Sequence, residues 1–283
     1  MKPILQLEHV RKVYGSHVAV DDLSLEVRRG EIVALLGANG AGKTTTLDIL
    51  LGLRRPQSGM VRLHARTVGV TPQETGMPSN LRVSEIADFV VQHYPDQAQS
   101  DAVLDAFGLT PMRRRQAGGL SGGELRRLAL ALAFVGAPEF AVLDEPTTSL
   151  DIESRRAVWA YVRDYSRRGG TVLMTTHHME EAEALASRIL VMSAGRIVRD
   201  GTPAQIRRTV TTRRVVYAGA PFDPSAFGID AVVEMLDGRV TVSTTDTDAL
   251  VRAMVRNDIP FSDLCVIDAS LEDAVLSLTE AVK

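Results

Sequence analysis

The 283-residue sequence predicts an α/β protein: a mixed, mostly parallel core sheet, a small antiparallel β subdomain, an inserted helical subdomain and a small α+β domain at the C-terminal end. Three observations predict it. Short apolar runs bounded by turn signals (EIVALLG, FAVLDEP, TVLMTTH and ILVMSAG) alternate with helical patterns through the first two hundred residues, as buried parallel strands do. The opening LQLEHVRKVYG and the following LSLEVRRGE alternate nearer period two, as strands with one wet face do. Residues 81–117 contain no strand-like run.

In chain order, the two alternating stretches form the antiparallel sheet, and IVALL is the first buried strand, leading through a glycine-rich loop into the helical TTLDILLGL. VSEIADFVVQHY places Val83, Ile86, Phe89 and Val90 on one helical face, and SDAVLDAFG repeats the pattern with Val103, Leu104 and Phe107. After SGG, Leu125, Leu128, Ala129 and Leu132 recur at i, i+3, i+4 and i+7, so a helix starts at the glycines. FAVLD and TVLMTT are buried strands, the second followed by a helix with Met179, Ala182 and Leu185 on one face. Beyond DGTPAQIRR the pattern changes: RRVVYAG, GRVTVSTTD and DLCVIDA read as strands and DALVRAMVRND as a helix between two of them. In the final LEDAVLSLTE, Leu271, Val275 and Leu278 fit one helical face. The expected domains are 1–210, with its helical subdomain at about 77–135, and 211–283. There is no long repeat and no low-complexity tract.

Composition narrows the function. The 32 basic and 35 acidic residues leave a net charge of −3, so no nucleic-acid partner is expected on electrostatic grounds. A single cysteine, Cys265, allows no internal disulfide and fits a reducing compartment. The charged start MKPILQLEHVRKVYG lacks a secretory apolar region. The longest apolar run, LALALAFVGA from Leu128, is shorter than the ~20 residues that cross a bilayer. Any membrane role is therefore expected to come through a partner.

Gly37-Ala38-Asn39-Gly40-Ala41-Gly42-Lys43-Thr44 matches the phosphate-cradle pattern GxxxxGK[ST] between a strand and a helix, the context the chemistry requires. Glycines let backbone N–H groups converge on phosphate oxygens, the helix start adds positive potential, Lys43 neutralises terminal phosphates and Thr44 can reach Mg²⁺. The cradle binds ATP or GTP. Asp144 emerges at the end of a buried strand, where it suits a Mg²⁺ held through water. Glu145 follows as a candidate general base. His177 and His178 stand at the next strand tip, where a histidine can hydrogen-bond a γ-phosphate.

The chain at this point resembles the nucleotide-binding subunit of an ATP-binding cassette (ABC) transporter across roughly residues 4–205. The motifs occur in the family's order: Walker A at Gly37 to Thr45, the signature at Leu120-Ser121-Gly122-Gly123-Glu124, Walker B at Phe140 to Asp144 and the D-loop at Ser149-Leu150-Asp151. Gln73 in VTPQE matches the Q-loop glutamine, His177 the switch histidine and Tyr14 the aromatic that stacks on adenine. The resemblance implies a P-loop NTPase fold and an ATPase coupled to transmembrane transport, with ATP and Mg²⁺ as cofactors. Thr44, Gln73 and Asp144 would be the metal residues, and Glu145, His177, Gln73 and Lys43 the catalytic set. It implies two cassettes, identical or different, dimerised head to tail, so that Ser121, Gly122 and Gly123 close over the phosphate of the partner's site and Asp151 senses that site. It also implies a transmembrane permease subunit and a place on the cytoplasmic face of a bacterial cell membrane. The bland reading of Ser121 to Gly123 is a helix N-cap and nothing more.

LEDAVLSLTE is similar to the ending of cassettes from drug- and antibiotic-resistance exporters, which points to export. One departure stands out: only 29 positions separate Thr44 from Gln73, fewer than the family usually has, and the loss is expected in a strand and loop of the sheet edge. A soluble ABC ATPase of the iron–sulfur assembly type and an ATP-dependent regulatory cassette are the alternative readings. The C-terminal extension argues against the first, and intact Glu145 and His177 against the second.

Overall fold

The computed structural model describes residues 2–71, 76–94 and 100–280. The chain opens with two long strands, β1 (Leu5–Tyr14) and β2 (His17–Val27), then the fully buried β3 (Ile32–Leu36) and helix α1 (Lys43–Leu50). Strands β4 (Ser58–Leu63) and β5 (Val68–Thr71) precede the helical stretch of α2 (Val83–Val91), α3 (Ser100–Ala106) and α4 (Gly122–Phe134). Then β6 (Phe140–Asp144), α5 (Ile152–Arg167), β7 (Thr171–Thr175), α6 (Met179–Leu185), β8 (Arg188–Ser193) and β9 (Arg196–Gly201) alternate. The short α7 (Pro203–Arg207) leads to β10 (Arg213–Ala218), β11 (Ala231–Leu236), β12 (Arg239–Thr244), α8 (Thr247–Arg256), β13 (Ser262–Ile267) and α9 (Leu271–Glu280).

The core sheet runs β5-β6-β7-β3-β8-β9, parallel except for the β8–β9 pair, which makes it mixed as the sequence predicts. Its three central strands are buried at every position, consistent with their near-continuous Val, Leu and Ala content. Registry matters for function: Leu35 and Asp144 both lie opposite Thr175, so β3, β7 and β6 end level at one edge of the sheet. The loops leaving those three ends therefore share one crevice, as ligand sites of open parallel sheets do. Helix α4 packs on β5 and β6, and at Gly69 its backbone comes so close that a Cβ would collide with the carbonyl of Ala133.

The antiparallel sheet has the order β2-β1-β4. Between Thr44 and Gln73 the described residues hold two strands, β4 paired with β1 and β5 with β6, joined by the four residues 64–67. In α2 the expected apolar face is narrower than its sequence suggests, because Val83, Ile86 and Ala87 are buried but Phe89 is 62% exposed. In α4 the buried face is shifted from the expected stripe: Leu128 and Ala129 are buried together with Arg126, Leu130, Ala131 and Ala133, while Leu125 and Leu132 are half-buried.

Residues 204–277 form a compact unit separate from the remainder. Its antiparallel sheet has the order β11-β12-β10-β13, and α8 sets Leu250 and Met254 against Val215, Tyr217, Val240 and Val242. Asp246 caps α8 by accepting from the Ala249 N–H at 2.9 Å. Strand β11, which the sequence patterning did not single out, pairs along the whole of β12. Among the described residues no helix is long and apolar enough to cross a membrane.

Candidate functional site

The loop from β3 to α1 turns tightly because two of its glycines take backbone conformations other residues resist: Gly40 at φ 82° and Gly42 at φ 101°. Gly42 is also the N-cap of α1, so the first-turn N–H groups, which no helix can satisfy internally, open into the loop. Lys43 is the first helical residue and is buried. Its Nζ donates to the carbonyls of Gly37 at 2.7 Å and Ala38 at 3.1 Å, wrapping the loop around the ammonium. Burial pushes the Lys43 ammonium below its usual range, opposed by Glu145 and Asp144. An anion in the loop would restore it.

Tyr14, His17, Ala19, Asn39, Gly40, Gly42, Lys43, Thr44, Thr45 and Glu145 line one open cleft of about 330 Å³. Tyr14 is partly exposed at its rim, with Lys12 Nζ 5.4 Å and the Arg54 guanidinium 5.6 Å from its ring centre. Gly37 and the buried Ala41 shape the loop beneath.

The Thr44 hydroxyl lies 3.5 Å from Asp144 Oδ2, and Thr175 Oγ1 donates a short hydrogen bond to Asp144 Oδ1. Burial holds the Asp144 carboxyl above the usual carboxylate range, partly offset by the Thr175 hydrogen bond. Thr44 and Asp144 offer two oxygens facing one another, which fits Mg²⁺, an ion that keeps several waters and takes few protein ligands besides phosphates. Among the described residues no group of three His, Cys, Asp or Glu side chains is arranged to hold a metal, so a cation here would depend on nucleotide oxygens.

Glu145 sits at φ 47°, its N–H bonded to both the carbonyl (3.1 Å) and the hydroxyl (3.0 Å) of Thr175. Its carboxylate accepts from the Thr148 hydroxyl at 3.3 Å and stands 3.2 Å from Nδ1 of His177. The His178 ring lies 4.1 Å from that of His177, centre to centre, and burial holds His178 below the usual imidazole range. The histidine predicted to act is thus the one against the carboxylate.

The glycine pair is elsewhere. Ser121 caps α4, its hydroxyl accepting from the Glu124 N–H at 3.3 Å while Glu124 accepts from the Ser121 N–H at 2.7 Å. Gly122 faces open space, and neither it, Ser121 nor Gly123 lines the cleft. Asp151 caps α5, accepting from the N–H and hydroxyl of Ser154 at 2.7 and 3.0 Å, and those bonds hold its carboxyl below the usual range. Gln73 lies outside the described residues.

Thr175 was missed by motif reading. It ends β7, and the signal that could have found it is the parallel alignment of strand ends, which sets it beside Asp144.

A family model described as "ABC transporter" matches residues 20–148. The chain is 40% identical to the "Nod factor export ATP-binding protein I" of Cupriavidus metallidurans, covering 73% of each chain. It is 39% identical to the protein of the same name from Burkholderia orbicola, covering 78% of each. Solved structures agree in fold: an ATP-binding subunit of an ABC transporter at TM-score 0.68 and 24% identity, covering 73% of this chain and 92% of that one. A dimeric bacterial ABC transporter cassette gives TM-score 0.64 at 23% identity, covering 70% and 98%. The cleft built on Lys43, Thr44, Asp144 and Glu145 and the extent of these relatives lead to one conclusion: the chain belongs to the ABC transporter family, as one of its ATP-binding, ATP-hydrolysing subunits.

Proposed function

We propose that this chain energises export through a membrane permease, working with MgATP as one half of a head-to-tail cassette dimer on the cytoplasmic face. The observation that carries the dimer is the division of phosphate-ready parts within one chain: the cleft holds Lys43, Thr44 and Glu145, while Ser121, Gly122 and Gly123 lie outside its lining. A glycine pair at the positive end of a helix, open to solvent, fits a phosphate carried by another subunit. Export is supported by the similarity to Nod factor export ATP-binding proteins and by the LEDAVLSLTE ending.

In the proposed reaction Tyr14 stacks on adenine at the cleft rim and the loop from Gly37 to Thr45 cradles the phosphates. Lys43 exchanges its carbonyl partners for phosphate oxygens. Thr44 and Asp144 would hold Mg²⁺, which, when bound, neutralises developing charge on the phosphates. Glu145 orients a water and takes its proton at a carboxylate oxygen as the water oxygen bonds to Pγ and the bond from Pγ to the bridging oxygen breaks. His177 holds that carboxylate and reaches the γ-phosphate. Ser121 of the partner subunit would share the charge developing on the γ-phosphate. Gln73 would link the metal site to the permease, and Asp151 would sense the opposite site across the dimer. We also retain the division into a nucleotide-binding domain, 1–210, and an accessory domain, 211–283; its support is the separate clustering of residues 204–277.

The test is affinity purification from detergent-solubilised membranes at native abundance. A copurifying polytopic membrane subunit is the expected result. Recovery of this chain alone, as a soluble protein, would count against the transporter assignment.

A further inference from the structure

Glu145 carries the chemistry from an unfavourable backbone position. A left-handed φ of 47° is uncommon for a residue with a side chain, and Pro146 follows it, a neighbour that restricts the preceding backbone further. Something outside the local sequence must hold it there. Its N–H side is fixed by Thr175. Its carbonyl side is fixed from a different element.

Arg126 lies on α4, is 7% exposed, and turns its guanidinium onto three consecutive carbonyls. Nη2 donates to the carbonyls of Asp144 at 2.5 Å and Glu145 at 2.6 Å, and Nε donates to that of Pro146 at 3.3 Å. A guanidinium, a planar fork with five N–H donors, suits three adjacent backbone acceptors. A buried cation is costly unless charge opposes it. Burial does push the guanidinium below its usual range, and Asp144, Glu145 and the fully buried Glu181 counter the push.

We propose that Arg126 is a positioning residue for hydrolysis: from the helix opened by the glycine pair, its guanidinium clamps the Glu145–Pro146 peptide and so aims the Glu145 carboxylate into the nucleotide cleft. The clamp starts five residues after Ser121, on the same rigid helix. Resting on the dimer reading above, it gives the first turns of the helix two contacts. Ser121 meets the partner's phosphate and Arg126 holds the chain's own base, so closure over one site is felt at the carboxylate of the other.

The test uses Arg126→Met and Arg126→Lys in the full chain, each alone and combined with Glu145→Gln, reading kcat, KM and the dissociation constant for MgATP. Arg126→Met is expected to lower kcat by about 10²-fold, the scale of a misplaced catalytic group, with KM and MgATP affinity held within about threefold. Arg126→Lys should recover part of that loss. In the Glu145→Gln background neither change should lower the residual rate further, because groups that act through one another are not additive. If Arg126→Met folds poorly, Arg126→Lys carries the same comparison with the buried cation kept. Normal kcat, or the same fold-loss with and without the Glu145 carboxylate, would overturn the positioning role. Full turnover by Glu145→Gln alone would instead overturn Glu145 as base, the reading on which the proposal rests.

Discussion

Nδ1 of His177 stands 3.2 Å from the Glu145 carboxylate, joining the loops that leave the adjacent strands β7 and β6. The contact selects between two neighbouring histidines. His178 turns its ring against His177 and is kept below the usual imidazole range by burial, so it supports the pair without facing the carboxylate in the same way. His177→Ala is expected to lower kcat by about 10²-fold or more, the size of a lost acid–base or positioning group, and His178→Ala by only a few-fold. Steady-state ATPase rates of the two variants decide it. Equal losses would remove the distinction.

Glu145→Gln keeps the shape of the side chain and its bond from Thr148 but can no longer take a proton. Single-turnover hydrolysis is expected to fall by about 10²–10⁴-fold while MgATP affinity stays near wild type. Near-normal turnover would exclude Glu145 as the base.

How far the sequence could be read follows the nature of each contact. Lys43, Thr44, Asp144 and Glu145 were legible because each sits in a local pattern, a strand followed by a loop whose residue types the chemistry demands. Thr175 and Arg126 were not, because they act on the backbone or carboxylate of residues distant in sequence, and strand registry or helix packing alone brings them there. Phe89 shows the limit of periodicity: it falls on the apolar face of α2, but only Val83, Ile86 and Ala87 are covered. Strand β11 is hard to read from sequence for a related reason: AVVEML does not alternate apolar and polar residues, and Val232, Met235 and Leu236 are exposed.

Asp144 supplies a prediction about stability. Its folded carboxyl titrates above its unfolded value because burial disfavours the anion. Such a group stabilises the fold fully below its unfolded pKa, and that contribution is lost as pH rises through the folded value, so ionised Asp144 weighs against the nucleotide-free protein near neutral pH. Asp144→Asn is expected to raise Tm without nucleotide and to weaken Mg²⁺-dependent ATP binding. The Tm gain should shrink as pH is lowered. Thermal melts across pH, with and without MgATP, check both halves.

Tyr14 at the cleft rim carries the adenine contact in the proposed site. Tyr14→Ala is expected to weaken ATP by about 5- to 100-fold, the range of a lost aromatic stack on a base, with Tyr14→Trp near wild type. Fluorescent-nucleotide titration reads this directly. Unchanged affinity in Tyr14→Ala would place the base elsewhere.

The central claim is that one complete site needs two chains, and ATP-driven self-association tests it most directly. In the Glu145→Gln background, sedimentation velocity with MgATP should show a dimer, because bound ATP is not consumed. Adding Ser121→Arg removes a helix cap worth about 1 kcal/mol, too little to unfold the chain, and blocks the open glycine pair. That chain should bind one ATP with unchanged affinity and remain a monomer. A dimer formed equally well by Glu145→Gln with Ser121→Arg would contradict the assignment of Ser121 to the partner's phosphate.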